Sequence, residues 1–194
     1  MGTRLNNIAK NIGMDCDAPI VSGSTGRGVL IPLSINPTLT KNAENPRIIE
    51  GVTIPEQAKV CAIDNEGTSP FEGTAVASNG DSGFVQYQKT VSLRIPMRGA
   101  GNSKDIVEPI TKSGQGFIVI LERRDKVGDG SFLVVGALQP LRANVDGITQ
   151  SETENGGAVM ATMSCVEQWF ECTFFNKDYE TTKTDFEALL AKAF

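Results

Sequence analysis

The strongest periodic pattern in the chain is an alternation of apolar and polar residues over positions 84–95. One set of alternate positions is apolar apart from Lys89: Val85, Tyr87, Val91, Leu93 and Ile95. The other set is polar apart from Phe84: Gln86, Gln88, Thr90, Ser92 and Arg94. Because successive side chains of a strand point to opposite faces, the pattern predicts a long antiparallel strand with one apolar and one polar face.

This alternation also predicts which face of the strand is wet. The apolar set is expected to point inward, and the polar set to face solvent or the wall of a water-filled lumen. A slip of one residue would bury the five polar side chains, at about 1–3 kcal/mol for each one left without a partner. Lys89 lies on the apolar face, so it must either reach an edge of the sheet or pair with a carboxylate.

Several further segments have the composition of strands. They are residues 28–35, 47–54, 59–64, 71–77, 117–121, 132–135, 158–166 and 169–175. The runs 117–121 and 132–135 are apolar on both faces, so both are predicted to be fully buried, with residues 125–130 as the hairpin loop between them.

Two strand pairings follow from the turn residues between these segments. Residues 79–81, Asn-Gly-Asp, predict a hairpin that pairs 71–77 with 84–95. The segments 158–166 and 169–175 are expected to form a final pair of strands.

Two helices are predicted. Thr184 and Glu187 have the spacing of a capping box, and the apolar residues around them share one helical face: Phe186, Leu189, Leu190 and Phe194. Ser103 could cap a shorter helix through Lys112, which Pro109 is expected to limit.

The order of these elements defines the domain organisation. Residues 1–26 are rich in Asn, Gly and Ser and predict an extended arm, and residues 27–194 predict a single β-rich domain that ends in a helix. About eight to ten strands and two helices do not alternate along the chain, which argues against a parallel doubly wound sheet. We expect neighbouring copies to order the arm and a long loop such as 36–46 or 146–157.

Composition removes many kinds of chemistry. The 194-residue chain has no histidine, which excludes Ser-His-Asp and Cys-His nucleophile systems and histidine metal sites. Its formal net charge of −5 argues against a surface that clamps nucleic acid.

The four cysteines, Cys16, Cys61, Cys165 and Cys172, form no C-x-x-C pair and are interpreted as structural thiols. No signal segment or membrane-spanning run is predicted, which favours synthesis in a reducing cytoplasm.

The remaining candidate sites are weak. The glycine-rich segment 23–28 precedes a strand, whereas a phosphate-binding loop requires a helix next. The carboxylates of Asp146, Glu152 and Glu154 have no aromatic sugar platform around them. We therefore predict no catalytic residue, no cofactor and no metal. Within the acidic loop 151–157, the candidate contacts for assembly are Ser151, Glu152, Glu154 and Asn155.

From residue 116 onwards the chain has an apolar strand at 116–121, a loop, a second strand at 131–137, a polar connection, the loop 151–157 and a strand at 158–166. This order resembles the tail tube proteins of long-tailed bacteriophages and the related tail hub and ring proteins. The opening segment 12–21, with Asp15-Cys16-Asp17, is similar to small virion proteins of phages that infect gut bacteria.

The resemblance implies a β-sandwich or partial barrel with a flanking helix, and this chain departs from that pattern in ending on its amphipathic helix. The predicted fold is therefore mainly β, an antiparallel β-sandwich or partial barrel with one short flanking helix and a C-terminal amphipathic helix. It further implies that six copies form a ring, that rings stack, and that the inner β-barrel surrounds a lumen through which DNA passes without specific binding. The partners are then other copies and other virion proteins, without a membrane. The protein would be made in the cytoplasm of a bacterial host and located in the virion tail.

Elementary electrostatics agrees with such a conduit, because an acidic or neutral wall avoids the affinity for DNA that a basic wall creates. Two alternatives stay open at this point. The first is another virion protein, namely a tail hub or ring, a head–tail connector or a head-decoration subunit. The second is a small carboxylate enzyme or a carbohydrate-binding module, which should remain monomeric.

Overall fold

The computed structural model describes residues 23–65, 68–78, 85–96, 99–126, 128–150 and 157–194. The strands in these residues are β1 (Ser24–Pro32), β2 (Thr38–Lys41), β3 (Ile48–Thr53), β4 (Cys61–Asp64), β5 (Phe71–Ser78), β6 (Gln86–Ile95), β7 (Phe117–Arg123), β8 (Phe132–Val135), β9 (Arg142–Gln150), β10 (Val159–Glu167) and β11 (Cys172–Phe174). The helices are α1 (Ala100–Asn102), α2 (Glu108–Lys112) and α3 (Tyr179–Leu190), with a π-helical segment at Ser103–Val107 and 3₁₀ turns at Leu33–Ile35 and Gly128–Gly130.

The strands form two sheets. A seven-stranded sheet has the order β2-β3-β11-β8-β7-β1-β4, and a four-stranded sheet has the order β5-β6-β10-β9. Every described strand pairing is antiparallel except that of β11 with β3. The prediction of a mainly β, sandwich-like fold with a short helix and a C-terminal helix is confirmed.

Three layers result from the way the central strands are buried. In β7, Val119 and Leu121 belong to the apolar cluster that also holds the inner face of the four-stranded sheet. Ile118 and Ile120 belong to a second cluster, which includes Phe186 of α3. The seven-stranded sheet is thus covered on both faces, which confirms that the continuous apolar runs at 117–121 and 132–135 are buried strands.

The C-terminal helix begins five residues before the predicted capping box, with Tyr179 rather than Thr184 in its first turn. The Asp178 side chain accepts a hydrogen bond from the Thr181 N–H at 2.8 Å and is the N-cap. Thr184 lies inside the helix, where its hydroxyl donates to the Glu180 carbonyl. The prediction that Phe194 shares the packed face was also wrong, since Phe194 follows the helix and is 92% exposed.

The predicted pair of 158–166 with 169–175 was wrong as well. β10 belongs to the four-stranded sheet and β11 to the seven-stranded sheet, so the connection between them crosses from one layer to the other. The pairing of 71–77 with 84–95 is confirmed by the register of β5 and β6, in which Phe71 lies opposite Val91 and Ala75 opposite Gln88.

The helical segment near residue 103 is longer than predicted. It begins at Ala100 and continues through a π-helical turn into α2. Pro109 lies in the first turn of α2, where its missing N–H is tolerated. No helix in the described ranges is long and apolar enough to span a bilayer.

Candidate assembly surface

The polar face of β6 is one side of the four-stranded sheet. Gln88 and Arg94 are exposed, and Gln86 and Thr90 are half-buried. Ser92 is 9% exposed and is buried by neighbouring strands.

The alternate residues of β6 face the core between the sheets. Val91, Leu93 and Ile95 are buried there. Tyr87 is half-buried, and Val85, just before the strand, is 42% exposed. These alternate residues therefore pack in the core at the C-terminal end of β6 and reach the surface at its N-terminal end.

Pairing with β10 extends the polar face. Thr162 lies opposite Ser92, and Ser164 lies opposite Thr90. Residues paired across an antiparallel ladder share a face, so these hydroxyls point the same way. The sequence pattern gave no indication of this second polar row, because small and sulfur-containing residues fill the alternate positions of β10.

Hydrogen bonds connect the polar face sideways across the strands. The Ser92 hydroxyl bonds to the Glu72 carboxylate of β5, and it lies 2.7 Å from the Thr162 hydroxyl of β10. The Ser164 hydroxyl donates to the Asn144 side-chain oxygen of β9 at 2.5 Å. These contacts reach all four strands, and they satisfy Ser92 without any group from the apolar core.

The charge on this face is mixed. Arg94 and Glu72 are exposed, and Arg142 of β9 lies opposite Ser164, which places it on the same side. The remaining described side chains along β6 and β10 on this face are neutral, and two of them are apolar: Met160 opposite Arg94 and Val166 opposite Gln88. A surface of this kind lacks the run of cations that retains a polyanion.

Both edges of the four-stranded sheet are long. The eight-residue β5 and the nine-residue β9 are the terminal strands, and no other described strand pairs with their outer edges. Each carries an exposed valine: Val76 is 57% exposed and Val145 is fully exposed. Exposed apolar residues on unpaired edges are typical of strands that associate with another chain.

A bulge shapes the β9 edge. The register between β9 and β10 shifts where Ala143 opposite Met163 gives way to Ile148 opposite Ala161. A Cβ on Gly147 would collide with the Thr162 carbonyl, so only glycine fits this approach of the two backbones. Val145 projects from the same bulge.

On the inner face of the same sheet, Lys89 and Glu167 form an ion pair whose side chains are both 0% exposed. The Lys89 Nζ lies 2.5 Å from Glu167 Oε2, and the Leu138 N–H donates to Glu167 Oε1 at 3.1 Å. Of the two outcomes predicted for Lys89, the structure has the pairing with a carboxylate. Glu167 ends β10, one residue beyond the predicted strand, and only the strand register identifies it as the partner.

The structure does not describe the residues predicted as candidate contacts for assembly. Ser151, Glu152, Glu154 and Asn155 lie outside the described residues. No group of three acidic or cysteine side chains within the described ranges could hold a metal ion.

The described cysteines are free thiols. Burial raises the pKa of Cys165 to about 12 and that of Cys172 to about 11, so both remain protonated at neutral pH. Burial also raises the pKa of the half-buried Cys61. Buried, protonated thiols agree with a structural role.

One surface groove, of about 390 Å³, lies between the start of β1 and the start of β5. Its polar lining includes Ser24, Ser69, Glu72 and Arg123, whereas Phe71 and Leu133 line it with apolar surface. Ser24 and Ser69 hydrogen-bond to each other, and neither is bonded to a base from the residues that the structure describes. The described part of the groove does not have the arrangement of a nucleophilic centre.

Comparison with known proteins gives no relative: no family model, no curated protein and no solved structure matches the chain. The function therefore has to be inferred from the geometry of the four-stranded sheet and from the resemblance of the strand order.

Proposed function

We propose that the protein is a virion structural subunit, resembling phage tail tube proteins, that assembles into stacked hexameric rings around a conduit for DNA. The observation that carries the proposal is the four-stranded sheet. One of its faces is covered by the seven-stranded sheet, and its other face is largely polar and lies between two long edges that no described strand pairs with.

The strand directions allow the sheet to continue from copy to copy. Successive strands β5, β6, β10 and β9 are antiparallel, so β5 and β9 run in opposite directions. If copies are related by rotation about an axis roughly along the strands, β9 of one copy meets β5 of the next in antiparallel orientation. Such a head-to-tail contact closes into a ring, and six copies of four strands give a barrel of twenty-four. Closure removes the open edges.

The layering then determines which face lines the lumen. Because the seven-stranded sheet covers the apolar face, it must lie outside the barrel, and the polar face must lie inside. Gln88, Thr90 and Arg94 of β6 would contribute to the wall together with the hydroxyl row of β10. A wall of amides, hydroxyls and mixed charge lets DNA pass without specific binding.

A tail hub or ring subunit could use the same edges, but its rings would not stack into a tube of one repeated subunit. Electron microscopy of the purified protein distinguishes the two roles by the length of the particles. A carbohydrate-binding module would have no need of two pairing edges.

Substitution of Val145 by Asp tests the edge contact. A carboxylate at this fully exposed position should not disturb the fold, but in the closed barrel it would be desolvated against the neighbouring copy. We expect V145D to lose assembly in sedimentation velocity while its circular dichroism and melting temperature stay unchanged. The matched control is Thr111→Asp, an exposed position on α2, which should assemble normally. If V145D forms the same particles as the unsubstituted protein, the β9 edge is not the contact.

A further inference from the structure

Lys89 and Glu167 occupy an unusual environment for two ionisable side chains. Lys89 lies opposite Cys165 in the ladder, and Glu167 lies opposite Tyr87, so the two are diagonal neighbours on the inner face of β6 and β10. Both side chains are completely buried. Transferring two charges from water into such a site is unfavourable unless their mutual attraction and further hydrogen bonds offset the lost hydration.

Within the described residues, the lysine has fewer hydrogen-bond partners than donors. A lysine ammonium has three N–H donors. The part of the chain that the structure describes supplies one hydrogen-bond acceptor for Lys89 Nζ, the Glu167 carboxylate, and no partner for the other two donors. Both carboxylate oxygens of Glu167 have hydrogen-bond partners: Oε2 accepts from Lys89, and Oε1 accepts from the Leu138 N–H.

We propose that Lys89 and Glu167 condense into an intramolecular amide that permanently joins β6 to β10. Condensation requires one proton to move from Nζ to the carboxylate, so that an amine faces a carboxylic acid. The Nζ–Cδ bond then forms and the Cδ–Oε2 bond breaks. Two of the three ammonium protons leave with Oε2 as water, and the third stays on the amide nitrogen, so the reaction needs no other reactant.

The surroundings favour the amide over the ion pair. The Leu138 N–H is placed on Oε1, the oxygen that stays, where it polarises the carbonyl during attack. Condensation removes both buried charges and reduces the three lysine donors to one amide N–H. The bond would connect residues 78 positions apart in the chain, and it would do so whether or not the protein assembles.

The same chain contains an internal control. Lys112 and Glu108 also form an ion pair, but on the exposed face of α2, where their side chains are 73% and 46% exposed and water solvates both ions. The two pairs have the same chemistry, and they differ in burial and in the presence of a donor on the second carboxylate oxygen. No amide is expected at this second pair.

Mass spectrometry of the folded full-length protein tests the proposal. We expect an intact mass lower than the sequence mass by one water, and a branched tryptic peptide that joins residues 60–94 to residues 143–177 with no cleavage at Lys89. Peptides around Glu108 and Lys112 should have their unmodified masses. The variant Lys89→Arg, which keeps the charge, should have its full sequence mass.

A full sequence mass for the folded protein, with residues 60–89 recovered as a separate unmodified peptide, would overturn the proposal. In that case the pair is a noncovalent contact, and the assembly proposed above is unaffected. A branched peptide at Lys112 would also contradict it, because burial would then not be the cause of the reaction.

Discussion

At the scale of single residues, two polar side chains of β6 are buried in different environments. Ser92 is nearly inaccessible, and its described hydrogen-bond partners, Glu72 and Thr162, both lie on the outer face of its own sheet. Lys89 is three residues away and is buried on the opposite face with a single carboxylate as partner. The alternation of the strand assigns each to its face, and the neighbouring strands supply the partner.

The N-cap of α3 leads to a prediction at this scale. The hydrogen bond from the Thr181 N–H to its carboxylate lowers the pKa of Asp178 below its ordinary value of 3.8. Because the folded pKa is the lower one, this contribution to stability is present above 3.8 and is lost as the pH falls through the folded pKa. We expect Asp178→Ala to lower the melting temperature at neutral pH, by an amount that shrinks in strong acid.

Circular dichroism melts at neutral pH and in strong acid measure this effect. Asp178→Asn is the matched control, since asparagine also caps helices but does not titrate. An equal loss for Asp178→Ala at both pH values would show that the charge of the carboxylate does not contribute.

At the scale of elements, α3 covers the face of the seven-stranded sheet that the four-stranded sheet leaves open. Phe186 is 0% exposed, and its ring centroid lies 5.0 Å from that of Phe132 on β8. Arg27 of β1 bonds to Glu187 at 2.9 Å, which adds a partly exposed ion pair between helix and sheet. The apolar contact dominates, because exposed ion pairs contribute about 0–1 kcal/mol.

Two phenylalanines near the C-terminus allow a matched comparison of burial. Phe186→Ala should lower the free energy of unfolding by about 3–5 kcal/mol, because it leaves a cavity in the packed cluster. Phe194→Ala should change it by less than about 0.5 kcal/mol, because Phe194 is 92% exposed. Urea denaturation measures both. Similar losses for the two variants would contradict the packing described for α3.

The elements differ in how far the sequence predicts them. β6, β7 and β8 follow from alternation or from continuous apolar runs. β9 was not predicted, because its bulge at Gly147 and its exposed edge position leave no regular period. The start of α3 was missed because Thr184 fits a capping box, whereas Asp178 supplies the cap. The partners Glu72 and Glu167 depend on strand register, which no local pattern encodes.

At the scale of the whole molecule, the two sheets have different surroundings. The seven-stranded sheet is covered on both faces within one chain. In the four-stranded sheet, no described strand pairs with the outer edges of β5 and β9, so the proposed assembly would complete the layer at these edges.

Deletion of residues 1–20 tests the predicted role of the arm. The described members of the two apolar clusters all lie in β1 and later elements, so we expect the truncated chain to keep its circular dichroism spectrum and melting temperature. We expect its assembly to weaken, which sedimentation velocity would measure as a shift toward monomer at equal concentration. If the truncated chain assembles like the full chain, the arm is not an interface element.

Cryo-electron microscopy of the purified full-length protein tests the proposed assembly. We predict stacked rings in which β9 of one copy pairs with β5 of the next and the polar face of β6 and β10 lines a central lumen. A protein that remains monomeric at every concentration would contradict this proposal. So would an assembly in which Gln88, Thr90 and Arg94 lie on the outer surface.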